Sequence, residues 1–101
     1  MSYYFVSYIK IIDKDEYQKY VNEVDIVSAK YNGKYLALDD HPKLLEGNWN
    51  YTRTVIIEFR TEKEFNDWYY SKEYQSILRH RLNASSCDTI LIKGKSPLNI
   101  Y

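Results

Sequence analysis

An α+β fold built on one four-stranded antiparallel sheet is predicted for this 101-residue chain, and three observations predict it. Four short segments rich in apolar residues read as strands, and two longer stretches between them carry helical spacing. Each helical stretch opens on an acidic or hydroxyl residue with Glu three places on, the signature of a capped helix start. The resulting order is β-α-β-β-α-β, and right-handed crossovers then place both helices on one face of the sheet, the ferredoxin-like arrangement.

The first strand spans about Ser2 to Ile12. Tyr4, Val6, Tyr8 and Lys10 face one way, while Tyr3, Phe5, Ser7, Ile9 and Ile11 face the other. Both faces are substantially apolar, which predicts a cover on each side: helices on one, a second copy of the chain on the other. Asp13 with Glu16 starts the first helix, and Tyr17, Tyr20, Val21, Val24, Val27 and Tyr31 recur along one stripe. Asn32-Gly33 ends it, since both tolerate left-handed backbone, and a strand from Lys34 to Leu38 follows. Asp39 to Tyr51 is a long irregular stretch, and loops of that length are often functional.

The third strand, Arg53 to Phe59, holds Val55-Ile56-Ile57. Thr61 with Glu64 starts the second helix, which carries Phe65, Trp68 and Tyr69 and breaks or bends near Ser71. It resumes with Tyr74, Ile77, Leu78, Arg81 and Leu82 turned inward. The last strand runs from Cys87 to Lys93, and Gly94 and Pro97 end regular structure. The length allows one domain, residues 1–101, with a core of about 2–94 and a short tail, 95–101.

Composition narrows the function classes. Fourteen basic and fourteen acidic residues balance along the chain with no basic stripe, so no nucleic-acid partner is expected. No stretch approaches the ~18 apolar residues of a membrane span and no signal peptide is evident, which points to a cytoplasmic protein with no membrane partner. The lone Cys87 fits a reducing compartment and reads as a small hydrophobe. Twelve tyrosines prefer half-wet positions, which suits a pocket or an interface; an AT-rich genome would also supply them. His41 and His80 lack metal-ligand spacing, and His80, between two arginines, reads as exposed. Neither a metal nor a cofactor is expected.

Several segments together carry a family resemblance. They are Asn32-Gly33-Lys34-Tyr35-Leu36, Glu46-Gly47-Asn48-Trp49, and Arg53 leading into Val55-Ile56-Ile57-Glu58-Phe59. To these add the run from Trp68 to Gln75, with Arg81 behind it. The pattern resembles the domain-of-unknown-function 1330 family of the dimeric α+β barrel superfamily, from the first strand to about Gly94. The resemblance implies a ferredoxin-like homodimer, and it implies no reaction. Three positions depart from the family's habit: Asn32 replaces a glycine, Lys72 a proline, and Asn48 an aspartate.

Arg53 and Arg81 each match a family arginine, and a guanidinium grips carboxylates and phosphates in a flat fork. Reaching one cavity, they would hold an anion; alternatively they pair with Glu46, Glu58 or Glu73 and join loop to helix. Ser71 reads as the cap of the resumed helix, or with Tyr74 as a hydroxyl pair facing a ligand. Trp68, at helical spacing from Phe65, reads as core or as a pocket wall. Trp49 reads as a pocket lid or an interface anchor, with Glu46 beside it.

The candidate site is therefore Arg53, Arg81, Tyr74, Ser71, Trp49, Trp68 and Glu46, between sheet and helices and closed by the Asp39–Tyr51 loop. It would hold a small anionic or aromatic molecule. The superfamily resemblance implies one alternative, a cofactor-independent enzyme of oxygenase or isomerase type, and a structural dimer without a pocket is the other. No catalytic residue is assigned.

Overall fold

The computed structural model describes residues 1–98, so the end of the expected tail, 99–101, lies outside the described residues. The chain runs β1 (Tyr3–Ile11), α1 (Lys14–Lys30), β2 (Lys34–Asp39), β3 (Arg53–Phe59), α2 (Glu62–Tyr69), α3 (Lys72–Ala84) and β4 (Ser85–Lys93). The strands form one sheet in the order β2-β3-β1-β4, every neighbouring pair antiparallel. The second crossover, expected as one helix broken or bent near Ser71, holds two helices. Tyr70 caps α2, and Ser71 in extended backbone (ψ 151°) starts α3.

Capping chemistry accounts for the helix starts. Asp13 Oδ1 accepts from the Glu16 N–H at 3.1 Å, and Thr61 Oγ1 accepts from the Glu64 N–H at 3.1 Å. Ser71 Oγ accepts from the Tyr74 N–H at 3.0 Å and donates to the Trp68 carbonyl at 2.7 Å, so one hydroxyl closes α2 and opens α3. Ser71→Ala is expected to cost about 1 kcal/mol, which lowers Tm by roughly 4–8 °C in a domain of this size. Thermal unfolding followed by circular dichroism checks this, and an unchanged Tm would remove Ser71 from the cap.

At the end of α1 only Asn32 is left-handed (φ 63°). Gly33 is required for space, because a Cβ there would lie 3.0 Å from the Phe59 ring. At the other end of the fold, α3 passes into β4 without a connecting residue. The Ala84 carbonyl accepts from the Ile12 and Asp13 N–H groups at 2.8 and 3.0 Å, which satisfies a helix-terminal carbonyl and ties α3 to the start of α1.

The core fills the space between sheet and helices. Phe5, Ile9, Val55, Ile57 and Phe59 point into it from the strands. Tyr17, Tyr20, Val24 and Val27 enter from α1, Phe65 and Trp68 from α2, and Tyr74, Ile77, Leu78 and Ala84 from α3. Trp68 is its aromatic hub, with ring centroids 5.2 Å from Phe5, 5.1 Å from Phe59 and 4.0 Å from Tyr74. Leu82, expected inward, is exposed, because the buried stripe of α3 turns through Arg81 and Ala84.

The opposite sheet face carries Tyr4, Val6, Tyr8, Thr54, Ile56, Ile90 and Ile92; among the described residues no helix lies over it, though Val6 is buried. Ile90 and Ile92 are 52% and 44% exposed. Among the described residues no helix is long and apolar enough to cross a membrane.

Candidate functional site

Alternation along β1 places Ser7 on the helix-facing side between Phe5 and Ile9, a small polar residue where the strand pattern calls for an apolar one. Its neighbour on β4 is Thr89, and the two hydroxyls are 2.8 Å apart. Helical spacing on α3 directs Arg81 at this spot from above, one step along the stripe from Ile77 and Leu78. The side chain that would have to leave the core for water stays inside, 1% exposed.

Arg81 Nη1 reaches Ser7 Oγ and Thr89 Oγ1 at 3.4 Å each, long for such bonds, and Nε has no partner. Among the described residues no carboxylate pairs with it. The guanidinium carbon instead lies 5.5 Å from the Tyr20 ring centre and 5.9 Å from that of Phe5. A guanidinium keeps its charge in any protein setting. The nearby tyrosines do not neutralise it, because burial pushes the hydroxyls of Tyr74, Tyr20, Tyr17 and Tyr35 above their ordinary range and keeps them protonated.

Arg81 lines a cavity of about 80 Å³ between α1 and the sheet, with Ser7, Tyr17, Tyr20, Tyr35 and Arg53 among its walls. A wider chamber of about 530 Å³ adjoins it, lined by Lys14, Gln18, His41, Tyr51 and Thr52. Tyr17, Val21 and Arg53 line both and form the neck between them. At the neck Arg53 donates to Asp40 through Nε (2.6 Å) and Nη2 (3.2 Å), and it lies 5.5 Å from the Tyr17 ring. That hydrogen bond, with the charge of Arg53, holds the Asp40 carboxyl below its ordinary range.

Of the seven residues singled out in the sequence, the fold brings Arg53 and Arg81 to one cavity. The expected partners Glu46, Glu58 and Glu73 are not used: Arg53 takes Asp40, and Glu73 pairs with Lys30. Tyr74 stands behind the wall, fully buried, its hydroxyl 2.8 Å from that of Tyr20. Ser71 is engaged as a cap and Trp68 is core.

Trp49 and Glu46 lie on the other side of the sheet. The loop divides: Asp40, His41, Tyr51 and Thr52 border the wide chamber, whereas Pro42–Glu46 and Trp49 line a separate hollow of about 390 Å³ with Thr54. Trp49 and Tyr51 pack on Tyr8 of the uncovered face, 5.2 and 5.6 Å between centroids, and the Tyr51 hydroxyl donates to Asp88. The expectation of one loop closing one pocket is therefore corrected. His80 is also not exposed; its ring is 14% exposed and bonded to Glu16, because α3 packs along α1.

Sequence reasoning missed Ser7, Thr89, Tyr17, Tyr20, Tyr35 and Asp40 as site residues. Ser7 alone carried a signal, a hydroxyl breaking the inward alternation of β1. Tyr17 and Tyr20 share their spacing with ordinary core positions.

These features define a ferredoxin-like α+β protein with a buried cationic cavity. Residues 2–95 match the family described as a domain of unknown function (DUF1330), and the chain belongs to that family. No curated protein matches it.

Solved structures share the fold. A protein of unknown function from Rhodopseudomonas palustris superposes with a TM-score of 0.74 at 16% identity, covering 95% of this chain and 84% of that one. SnoaB, a cofactor-independent oxygenase from Streptomyces nogalater, gives 0.67 at 12% identity, covering 96% of each chain. A dimeric ferredoxin-like protein of unknown function from Thermobifida fusca gives 0.64 at 13% identity, covering 91% of this chain and 90% of that one.

Proposed function

We propose that this chain binds a small anionic molecule with an aromatic or apolar body in the cavity between the sheet and α1. One observation carries the reading: Arg81 is a fully buried cation that no carboxylate of the described residues neutralises. Holding an unpaired charge in a protein interior costs several kcal/mol. A fold keeps such a group where something external supplies the opposite charge. Arg53 anchors the neck, Tyr17, Tyr20 and Tyr35 are walls, and Tyr74 braces Tyr20 from behind.

Binding is favoured over cofactor-independent catalysis of the oxygenase or isomerase type. General acid–base work needs a group whose pKa lies near the working pH. The titratable groups around the inner cavity, apart from the arginines, are tyrosines held protonated and the exposed Asp25. Native mass spectrometry on gently purified protein tests the reading. A retained mass, released on denaturation and identified as an organic acid or phosphate ester, is expected; a neutral or cationic retained molecule would overturn it.

The uncovered sheet face supports a homodimer of the dimeric α+β barrel kind, two sheets packed face to face. Ile90 and Ile92 present an apolar edge there, and a Thermobifida fusca protein of this fold is described as dimeric. The paired change Ile90→Lys and Ile92→Lys is expected to yield a folded monomer by light scattering coupled to gel filtration. An unchanged dimer mass would rule this interface out.

A further inference from the structure

Resting on that anion-site reading, we infer that the ligand is a slender monocarboxylic acid, inserted carboxylate first past Arg53 to Arg81. Volume, charge and donor geometry each point to this class.

The inner cavity is about 80 Å³, against about 530 Å³ outside the neck. A dry apolar cavity of about 150 Å³ holds a benzene ring. The inner chamber therefore takes roughly half as much, a carboxylate with one or two carbons behind it. A tetrahedral phosphate head is thicker than a flat carboxylate. The outer chamber falls within the range usual for small-molecule sites, and it receives the body of the molecule.

Charge sets the valence. Arg53 is already neutralised by the two-point contact with Asp40, which leaves Arg81 as the one uncompensated cation of the inner chamber. Asp25, also on the cavity, is exposed to water at its rim. One negative charge balances the chamber, whereas a phosphate monoester brings nearly two.

The donors are flat and few. Arg81 Nη1 is only loosely held by Ser7 and Thr89 at 3.4 Å, and Nε is buried without a partner. A guanidinium pairs with the two oxygens of a carboxylate in one plane. Phosphate sites instead recruit backbone N–H groups at a helix N-terminus, and the α1 residues on this cavity start at Tyr17, beyond the first three of the helix. Behind Arg81 the walls are Tyr20, Val24, Val55 and Ile57, which suit an unbranched or flat apolar stem.

Isothermal titration of the whole chain at constant ionic strength with butyrate, benzoate, succinate and inorganic phosphate decides the matter. Butyrate or benzoate is expected to bind at least tenfold more tightly than succinate or phosphate. Arg81→Met is expected to weaken that binding at least tenfold. Arg81→Lys, which keeps the charge and loses the fork, is titrated beside it, so the comparison holds if the methionine variant does not fold. Tighter, Arg81-dependent binding of phosphate or succinate would overturn the monocarboxylate class and leave the anion site standing. Monocarboxylate binding that neither variant weakens would overturn the placement, and failure of all four probes would overturn both readings.

Discussion

Arg81→Met is expected to raise the melting temperature of the ligand-free protein while it weakens anion binding at least tenfold. Methionine fills most of the volume of the arginine stem and brings no charge to desolvate. In the native chain the guanidinium is 1% exposed, with two long hydrogen bonds and an unpartnered Nε. Replacing buried ionic groups by apolar ones of similar size is often stabilising by about 1–4 kcal/mol. Toward the middle of that range, roughly 2 kcal/mol, Tm rises by about 8–16 °C. The comparison is made by differential scanning calorimetry at one protein concentration, on protein stripped of ligand by unfolding and refolding. A fall in Tm would mean that Arg81 serves the fold, and the cavity would lose its claim to be a site.

Trp68→Ala is expected to have the opposite character, a large loss of stability with no selective loss of binding. The indole is wholly buried and meets Phe5, Phe59, Phe65, Tyr69 and Tyr74 with centroids no more than 6.0 Å apart. Truncating a core Trp costs about 3–5 kcal/mol, a large share of the 5–15 kcal/mol that holds a typical native protein together. The expected fall in Tm is more than about 12 °C, with loss of the near-ultraviolet circular dichroism signal. A small change in Tm would return Trp68 to the status of a pocket wall.

The contrast between these residues shows what a sequence can and cannot disclose. Local chemistry was legible: Asp13, Thr61 and Ser71 cap helices because a side-chain oxygen three residues ahead of an N–H needs no tertiary information. Strand β3 was legible to the residue for the same reason. Arg81 was legible as unusual, since its helical position coincides with the stripe of Tyr74, Ile77 and Leu78.

What surrounded it was not. Tyr17 and Tyr20 recur at a spacing that describes a plain core equally well, and only the neighbouring arginine turns them into cavity walls. The loop was misread because its course is decided at long range. Trp49 is drawn to Tyr8 on the far side of the sheet, while Asp40, a few residues earlier, is drawn to Arg53 at the neck. No periodicity records that split. The helix count was left open because a cap inside a helical pattern reads as a bend or a break, and the Ser71 hydroxyl does end one helix and start another.

The direct passage from Ala84 to Ser85, pinned by two N–H groups on one carbonyl, gives the cavity an asymmetry in time. Arg81 sits one turn before that junction and Thr89 one short strand segment after it, so the floor has no hinge. The mouth is bordered by Asp40 and His41 on a stretch with neither helix nor strand. For a ligand bound as proposed, entry and exit would be governed at the mouth and equilibrium affinity at the floor. Substitutions at His41 should speed or slow association and dissociation together, whereas loss of Asp40, which frees the charge of Arg53, should also move the dissociation constant. Substitutions at Arg81, Ser7 or Thr89 should act on residence time alone. A ligand bound as proposed would then have its exchange rate set at one end of the cavity and its residence set at the other.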